Sequence, residues 1–445
     1  MITTPILDFV SAYAGSGAAR FHMPGHKGAG PLGFEALDIT EIDGAGELYA
    51  PGGPIAASEA NASALFGADT YYSCEGSSLA IRAMLKLALD GADAPLVLAG
   101  RNAHRAFLSA AALLGFEVEW LHPAGDEAYH SCTVTAAAVD AALARLGRRC
   151  RAVYLTGPDY LGNLPDIAAV AGVCRRHGAL LLVDNAHGAY LKFLPGGSRH
   201  PMDLGADMCC DSAHKTLPAL TGAAYLHVRP RLGLDAGRVK AALALFGSSS
   251  PSWLILQSLD ACNRCLEGYP ARLAAFLPKL EALESALRER GWALAGNEPM
   301  KLTLAARACG MTGDALAAAL RERGVVCEFH DPDYCVLMPT PWNTDGDLAR
   351  LEAVLLSIPR RAALPREAPA YRAPEIALSI REAAFAPRQA LPVDRCLGRV
   401  LAEPALACPP CVPIAVCGEV IDESVVERLR YYGVATCEVV AREPE

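Results

Sequence analysis

The segment DSAHKTLPALTG (211–222) sets one lysine, Lys215, among Ser212, His214 and Thr216. An isolated lysine is by default a solvated surface charge. Hydroxyls and an imidazole beside it suit a phosphate-bearing ligand, and a desolvated lysine amine is a nucleophile able to form a Schiff base. Upstream, LLLVDNAHGAY (180–190) places Asp184 at the carboxyl end of an apolar run. Doubly wound sheets put their ligands at such strand ends. The plain alternative is an aspartate capping the next turn. The sharper reading is an anion beneath a pyridinium nitrogen, the charge partner that pyridoxal phosphate needs to act as an electron sink.

Two further segments carry related chemistry. In CEGSSLAIRAMLKLAL (74–89), Gly76, Ser77 and Ser78 precede a helical run, so backbone N–H groups and two hydroxyls converge at a helix start. That arrangement binds phosphate, although serine is also an ordinary helix cap. In RNAHRAF (101–107), His104 stands near the start of the next helix, where a flat imidazole could lie against a cofactor ring. A histidine with a purely structural role is the alternative there.

These residues need strands and helices to position them, and the pattern supplies both. From about residue 58, helical and apolar segments alternate: helices in ASEANASALFG, SSLAIRAMLKLALDG, AHRAFLSAAALLG and DIAAVAGVCRRHG, strands in PLVLA, CRAVYLTG, ALLLVD, DMCCDSA and AAYLHV. Such alternation predicts an α/β fold with an open, mostly parallel sheet. The first fifty residues, dense in Gly and Pro around FHMPGHKGAGPLG, read as an irregular arm. The expected division is an arm at 1–57, a large domain at 58–270, a small α+β domain at 271–358, a linker at 359–375 and a C-terminal domain at 376–445.

With 445 residues the chain has room for two or three packed units. Hydrophobic residues at 52% and charged residues at 20% mark a core-forming protein and exclude a disordered one. Forty basic against 49 acidic residues give −9 with no basic run, which argues against a nucleic-acid partner. The opening MITTPILDFVSAYAG has no basic leader and no apolar stretch is long enough to span a bilayer, so a cytoplasmic location is expected. Sixteen cysteines include two C-x-x-C pairs, Cys262/Cys265 and Cys408/Cys411, too far apart for one zinc module. Packing thiols are expected, and no metal.

Taken in order, FHMPGHKG, DITEIDGAGELYAPGGPI, the GSS turn, RNAH, VDNAHGA and SAHKTLPALTG closely resemble the bacterial ornithine/lysine/arginine decarboxylase family, fold-type-I enzymes that use pyridoxal 5'-phosphate. The resemblance runs from about residue 20 to 430 and takes in REAAF and CPPCVPIAVCGE. It implies Lys215 as the Schiff-base lysine, Asp184 as partner of the pyridinium nitrogen, and Ala186 and His187 beside the ring. It implies His104 stacked on the ring face, with Gly76, Ser77, Ser78, Ser212 and His214 around the phosphate. Glu419 matches a family glutamate that reaches the substrate side chain. The segment LFGSSSPSW (245–253) resembles one lent to the neighbouring subunit of a homodimer.

The departures are Glu75 where the family has Asn, Tyr190 in place of a second His, Gly222 in place of Gln, and Cys417 in the terminal motif. The implied activity is decarboxylation of arginine, lysine or ornithine to an amine and carbon dioxide, a step in polyamine metabolism. Other pyridoxal chemistry on the same fold (aldol cleavage or transamination) and a silent regulatory homologue are the alternatives. Retention of both Lys215 and Asp184 weighs against silence.

Overall fold

The computed structural model describes residues 1–123, 127–365, 367–404 and 410–442. Cys408, half of the second C-x-x-C pair, lies outside them. The first seven strands in chain order are β1 (Asp69–Ser73), β2 (Leu96–Gly100), β3 (Glu117–Leu121), β4 (Cys150–Thr156), β5 (Leu180–Asp184), β6 (Met208–Asp211) and β7 (Ala224–Val228). The chain divides into two compact units, Met1–Ala92 with Ile167–Leu273, and Asp93–Asp166 with Ala274–Glu445.

In the first unit, β5 and β6 run parallel with Asp184 opposite Cys210, and β7 runs antiparallel to both β6 and β1. LLVD of β5 and all of MCCD in β6 are buried, as continuous apolar runs in covered parallel strands should be. The helix Gly76–Leu89 lies across β5, β6 and β7 and buries Leu79, Ile81, Met84 and Leu85. Each such side chain contributes roughly 1.5–3 kcal/mol. This packing fixes the helix start beside the carboxyl ends of β5 and β6. The short strand β1 escaped the sequence reading because Asp69 and Thr70 break its apolar pattern.

The expectation of an irregular first fifty residues is corrected at its start. Pro5–Gly15 is a helix with Pro5 in its first turn and Ile6 and Val10 fully buried. Asp260 Oδ2 accepts the Ile6 and Leu7 amides at 2.9 Å each, satisfying helix-start donors from another element. The Gly and Pro density at 21–33 masked this four-residue apolar spacing.

In the second unit, β2 pairs in parallel with β3 and β4. The parallel pairs on both sides of the division make this a mixed α/β fold, with β7 running against its neighbours. A four-stranded antiparallel sheet follows, in the order β10-β11-β9-β8, from β8 (Leu294–Ala295), β9 (Leu302–Ala305), β10 (Phe329–His330) and β11 (Tyr334–Leu337). Beyond it, β12 (Arg388–Pro392) pairs with β13 (Thr436–Val440) over a core including Leu391, Leu401, Ile421, Leu429 and Val439. Among the described residues, no helix is long and apolar enough to cross a membrane.

Candidate active site

The site residues of the first unit gather where β5 and β6 end and the helix Gly76–Leu89 begins. Asp184 closes β5 and is 3% exposed, its Oδ1 accepting the Ala186 amide at 3.1 Å. Carboxylates held by backbone N–H groups stay ionised more easily. Directly after β6, Ser212 precedes the single turn Ala213–Thr216 that carries Lys215. Lys215 is half-buried, with Nζ 2.9 Å from His187 Nε2. His187 itself is almost fully buried. The structure therefore brings Lys215, His187 and Asp184 onto two neighbouring strand ends, as DNAH and SAHK imply.

The helix start supplies the second half of the site. Ser212 Oγ donates to Ser77 Oγ at 2.9 Å, so both hydroxyls face one point at the first helical turn. Gly76 has φ +71°, a left-handed conformation that suits glycine, and its amide donates to the Gly222 carbonyl at 2.8 Å. Gly222 also needs to be glycine. Its φ is +97°, and a Cβ there would stand 2.9 Å from the Cys74 carbonyl oxygen. His214 Nδ1 donates to the Ala223 carbonyl at 2.9 Å, and Ser78 is half-buried one residue past Ser77. Glu75 accepts the Ser248 amide at 2.6 Å, so the departure from Asn ties down the 245–253 segment within this same chain. Tyr190, another departure, is fully buried.

Sequence reasoning missed the layer beneath. Asp211, the last residue of β6, is fully buried and accepts from three directions. His200 Nε2 and His227 Nε2 both lie 3.0 Å from Oδ2, and Asn185 Nδ2 lies 2.6 Å from Oδ1. Burial alone would raise the Asp211 carboxyl, but the two imidazoles hold it well below the usual carboxylate range. Burial pushes His227 down, against the pull of Asp211. Cys209, His200, Asp211 and His227 bring four ligand-type atoms within 4.8 Å of one another. Their imidazoles are spent on Asp211, and burial drives the Cys209 thiol far up, so the group reads as a hydrogen-bonded support. This support joins Asn185, next to Asp184, to Asp211, next to Ser212. The sequence signal was the acidic first letter of DSAHK.

Two implied site residues belong to the second unit. His104 caps the helix Arg105–Leu114, its Nδ1 accepting the Ala106 amide at 3.1 Å. Glu419 is 2% exposed and closed on Arg101, whose Nη2 lies 2.9 and 3.2 Å from its two oxygens. The Val416 amide adds a third bond, 2.7 Å to Oε2. The Arg101 side chain also lies against Trp120 and donates to the Pro413 carbonyl. Around Glu419, burial raises the Cys417 thiol to about 12, so this departure reads as a packed thiol.

Comparisons with known proteins give the family and the fold. The sequence model described as "Orn/Lys/Arg decarboxylase, major domain" matches residues 4–275. The arginine decarboxylase of Halalkalibacterium halodurans is 29% identical over 95% of this chain and 91% of its own length. That of Bacillus subtilis is 28% identical over 94% and 91%. Lysine decarboxylase LdcA of Pseudomonas aeruginosa is 26% identical over 57% of this chain and 38% of its own. Among solved structures, the Francisella novicida lysine decarboxylase LdcF superposes with TM-score 0.81 over 99% of this chain and 81% of that one, at 16% identity, a likeness of fold. The matched model spans more than half of the chain, including Ser77, Asp184, His187 and Lys215, and the chain belongs to the Orn/Lys/Arg decarboxylase family.

Proposed function

We propose that this protein decarboxylates a basic amino acid, with arginine the first substrate to test, using pyridoxal 5'-phosphate held at Lys215. The observation that carries the reading is the placement of Lys215, His187 and Asp184 on adjacent strand ends beside the Ser77–Ser212 pair. Relatives named arginine decarboxylase match at 27–29% over more than nine-tenths of the chain, which favours arginine over lysine.

The residues present fit the cofactor. A half-buried amine, a buried carboxylate and two hydroxyls at a helix start are the donor set that an aldehyde, a pyridine nitrogen and a phosphate require. When bound, pyridoxal phosphate supplies the electron sink for the carbanion left as carbon dioxide departs. The chain's residues do the rest. Lys215 Nζ is the amine that holds the cofactor covalently. With His187 Nε2 unprotonated, that imidazole accepts an Nζ–H and is placed to take the proton, leaving the amine nucleophilic. Asp184 would keep the pyridine nitrogen protonated, and Ala186 N holds that carboxylate in place. Ser77, Ser78 and Ser212 would offer their hydroxyls to the phosphate, beside the Gly76 turn and His214. By the family resemblance alone, His104 would be the residue to stack on the ring. The buried Asp211 support keeps both strand ends in register. A second copy of the chain is the expected partner, in a cytoplasmic homodimer.

The test is carbon dioxide release from arginine, lysine and ornithine with added pyridoxal phosphate, with product analysis alongside. An amine in step with carbon dioxide supports the reading. A keto acid or an aldehyde in its place, or no turnover of any of the three, overturns it.

A further inference from the structure

Four lysine and arginine side chains are buried among the described residues, and three of them have a carboxylate at hand. Arg101 lies 2.9 Å from Glu419, Lys240 2.8 Å from Glu59, and Lys301 3.8 Å from Glu298. The fourth, Arg428, is 4% exposed and has no ion pair or side-chain hydrogen bond among the described residues. It sits on the helix Glu423–Tyr431, on the face that buries Val425, Val426 and Leu429. Its neighbours three and four residues away are Ser424, Val425, Tyr431 and Tyr432, so its own helix offers it no acid.

What Arg428 does touch is an aromatic face. Its guanidinium carbon lies 5.0 Å from the centre of the Tyr371 ring, and the Tyr371 hydroxyl is held 2.8 Å from His122 Nδ1. A stacked guanidinium spends its face on the ring and keeps the N–H donors of its own plane for other partners. A ring face offsets only part of a desolvated charge, and arginine cannot shed its proton to escape the rest. The surrounding groups do not supply the missing anion. Glu419 has both oxygens on Arg101 and one of them also on the Val416 amide. Burial holds the hydroxyls of Tyr129, Tyr371 and Tyr432 above the ordinary phenol range, so all three stay neutral. Burial and Arg101 push the His122 imidazole down, so at pH 7 it is neutral as well. One positive charge is left uncompensated.

We propose that Arg428 anchors a binding site for a small carboxylate, gripped by the N–H edge of the guanidinium while Tyr371 covers its face. Two carboxylate oxygens match two parallel N–H donors, the arrangement in which arginine pairs most strongly. The charge count selects the class of ligand. A monoanion balances the single positive charge, whereas a phosphate dianion would leave a negative charge buried in its place. The site stands apart from Lys215 and its neighbours, which belong to the first unit, and it does not depend on the reaction proposed for them.

The experiment titrates the full cofactor-loaded chain with sodium acetate by calorimetry, and follows thermal unfolding as acetate replaces chloride at fixed ionic strength. The wild type should bind acetate saturably, with a dissociation constant on the order of millimolar, and its unfolding midpoint should rise with acetate above that concentration. Arg428→Met keeps the length and apolar packing of the side chain and removes the charge. It should bind acetate about tenfold more weakly or not at all. In chloride alone it should unfold at or above the wild-type temperature, because a buried unpaired charge has gone. The wild-type titration stands whether or not the variant folds. Absence of saturable acetate binding, equal binding by Arg428→Met, or unfolding of Arg428→Met several degrees below wild type in chloride overturns the proposal. Tighter binding of inorganic phosphate than of acetate, lost in Arg428→Met, overturns the assignment to a carboxylate.

Discussion

Lys215 with His187 and Arg101 with Glu419 are two charged groupings built to opposite ends. Lys215 is half-buried at the tip of a strand-to-helix turn, its Nζ against an imidazole that can exchange a proton. Arg101 and Glu419 are at most 3% exposed, bonded through both carboxylate oxygens and sealed further by Val416 N. The first arrangement leaves a nucleophile within reach of a ligand. The second neutralises two charges against each other, which in a buried site is structural duty. A charged residue at a conspicuous motif position does not by itself say which duty it has.

Five single substitutions, one double variant and a pH scan sharpen this contrast. The largest effect belongs to Lys215→Ala, which should lose about 10³-fold or more in kcat. Borohydride reduction of the cofactor-loaded wild type should put the pyridoxyl mass on the Lys215 peptide. Mass on another lysine breaks the assignment. Glu419→Gln comes next and acts on stability. Leaving Arg101 buried without its anion should cost about 3 kcal/mol in denaturant unfolding, and Arg101→Met with Glu419→Leu should recover most of it. A Glu419→Gln protein as stable as wild type, with kcat/KM for basic amino acids down about 30-fold, would move Glu419 to the substrate.

Asp184→Asn should keep cofactor binding and lose about 100-fold in kcat, the worth of one charge-assisted hydrogen bond. Near-normal turnover would reduce Asp184 to a turn cap. Gly222→Ala forces a Cβ against the Cys74 carbonyl at a left-handed φ, at a cost of about 1–3 kcal/mol. Because Gly222 O holds the Gly76 amide, the readout is about tenfold weaker cofactor retention, and unchanged retention would uncouple this turn from the phosphate. The smallest effect is in acid. His227 is lowered in the fold, so below about pH 6.5 the unfolded chain binds a proton that the native state refuses. Stability from this group is therefore present at pH 7 and lost as pH falls, by up to about 1.4 kcal/mol per pH unit. Asp211, depressed in the fold, keeps its contribution until the carboxylate range is passed. His227→Gln should flatten the slope between pH 6.5 and 5, and an unchanged slope assigns it to other groups.

Much of this was legible in the sequence wherever chemistry and periodicity coincide. LLLVD announced a buried strand with an acid at its end, and GSSLAIRAMLKLAL a helix with hydroxyls at its start. SAHKT drew attention to the lysine, which rides a single helical turn directly after β6. What stayed hidden depends on pairing across distance. His200 and His227 look like isolated histidines until the fold closes both on Asp211. Glu419 looks available until Arg101 is placed beside it, 318 residues away along the chain. The helix Pro5–Gly15 was masked by the Gly and Pro density that follows it, and its amide acceptor, Asp260, lies 254 residues away.

That 318-residue separation has a consequence for how the chain is made. Arg101 leaves the ribosome long before Glu419, and at about 5–20 residues per second the interval is some tens of seconds. Throughout it, the end of β2 carries a cation whose native position is buried and whose counter-charge does not yet exist. The second unit therefore cannot reach its native electrostatics during translation, whereas β5, β6 and the Lys215 turn can assemble as soon as they emerge. Until Glu419 is made, the Arg101 side chain has no counter-charge and stays open to water, and it is there that chaperones and proteases would find the chain.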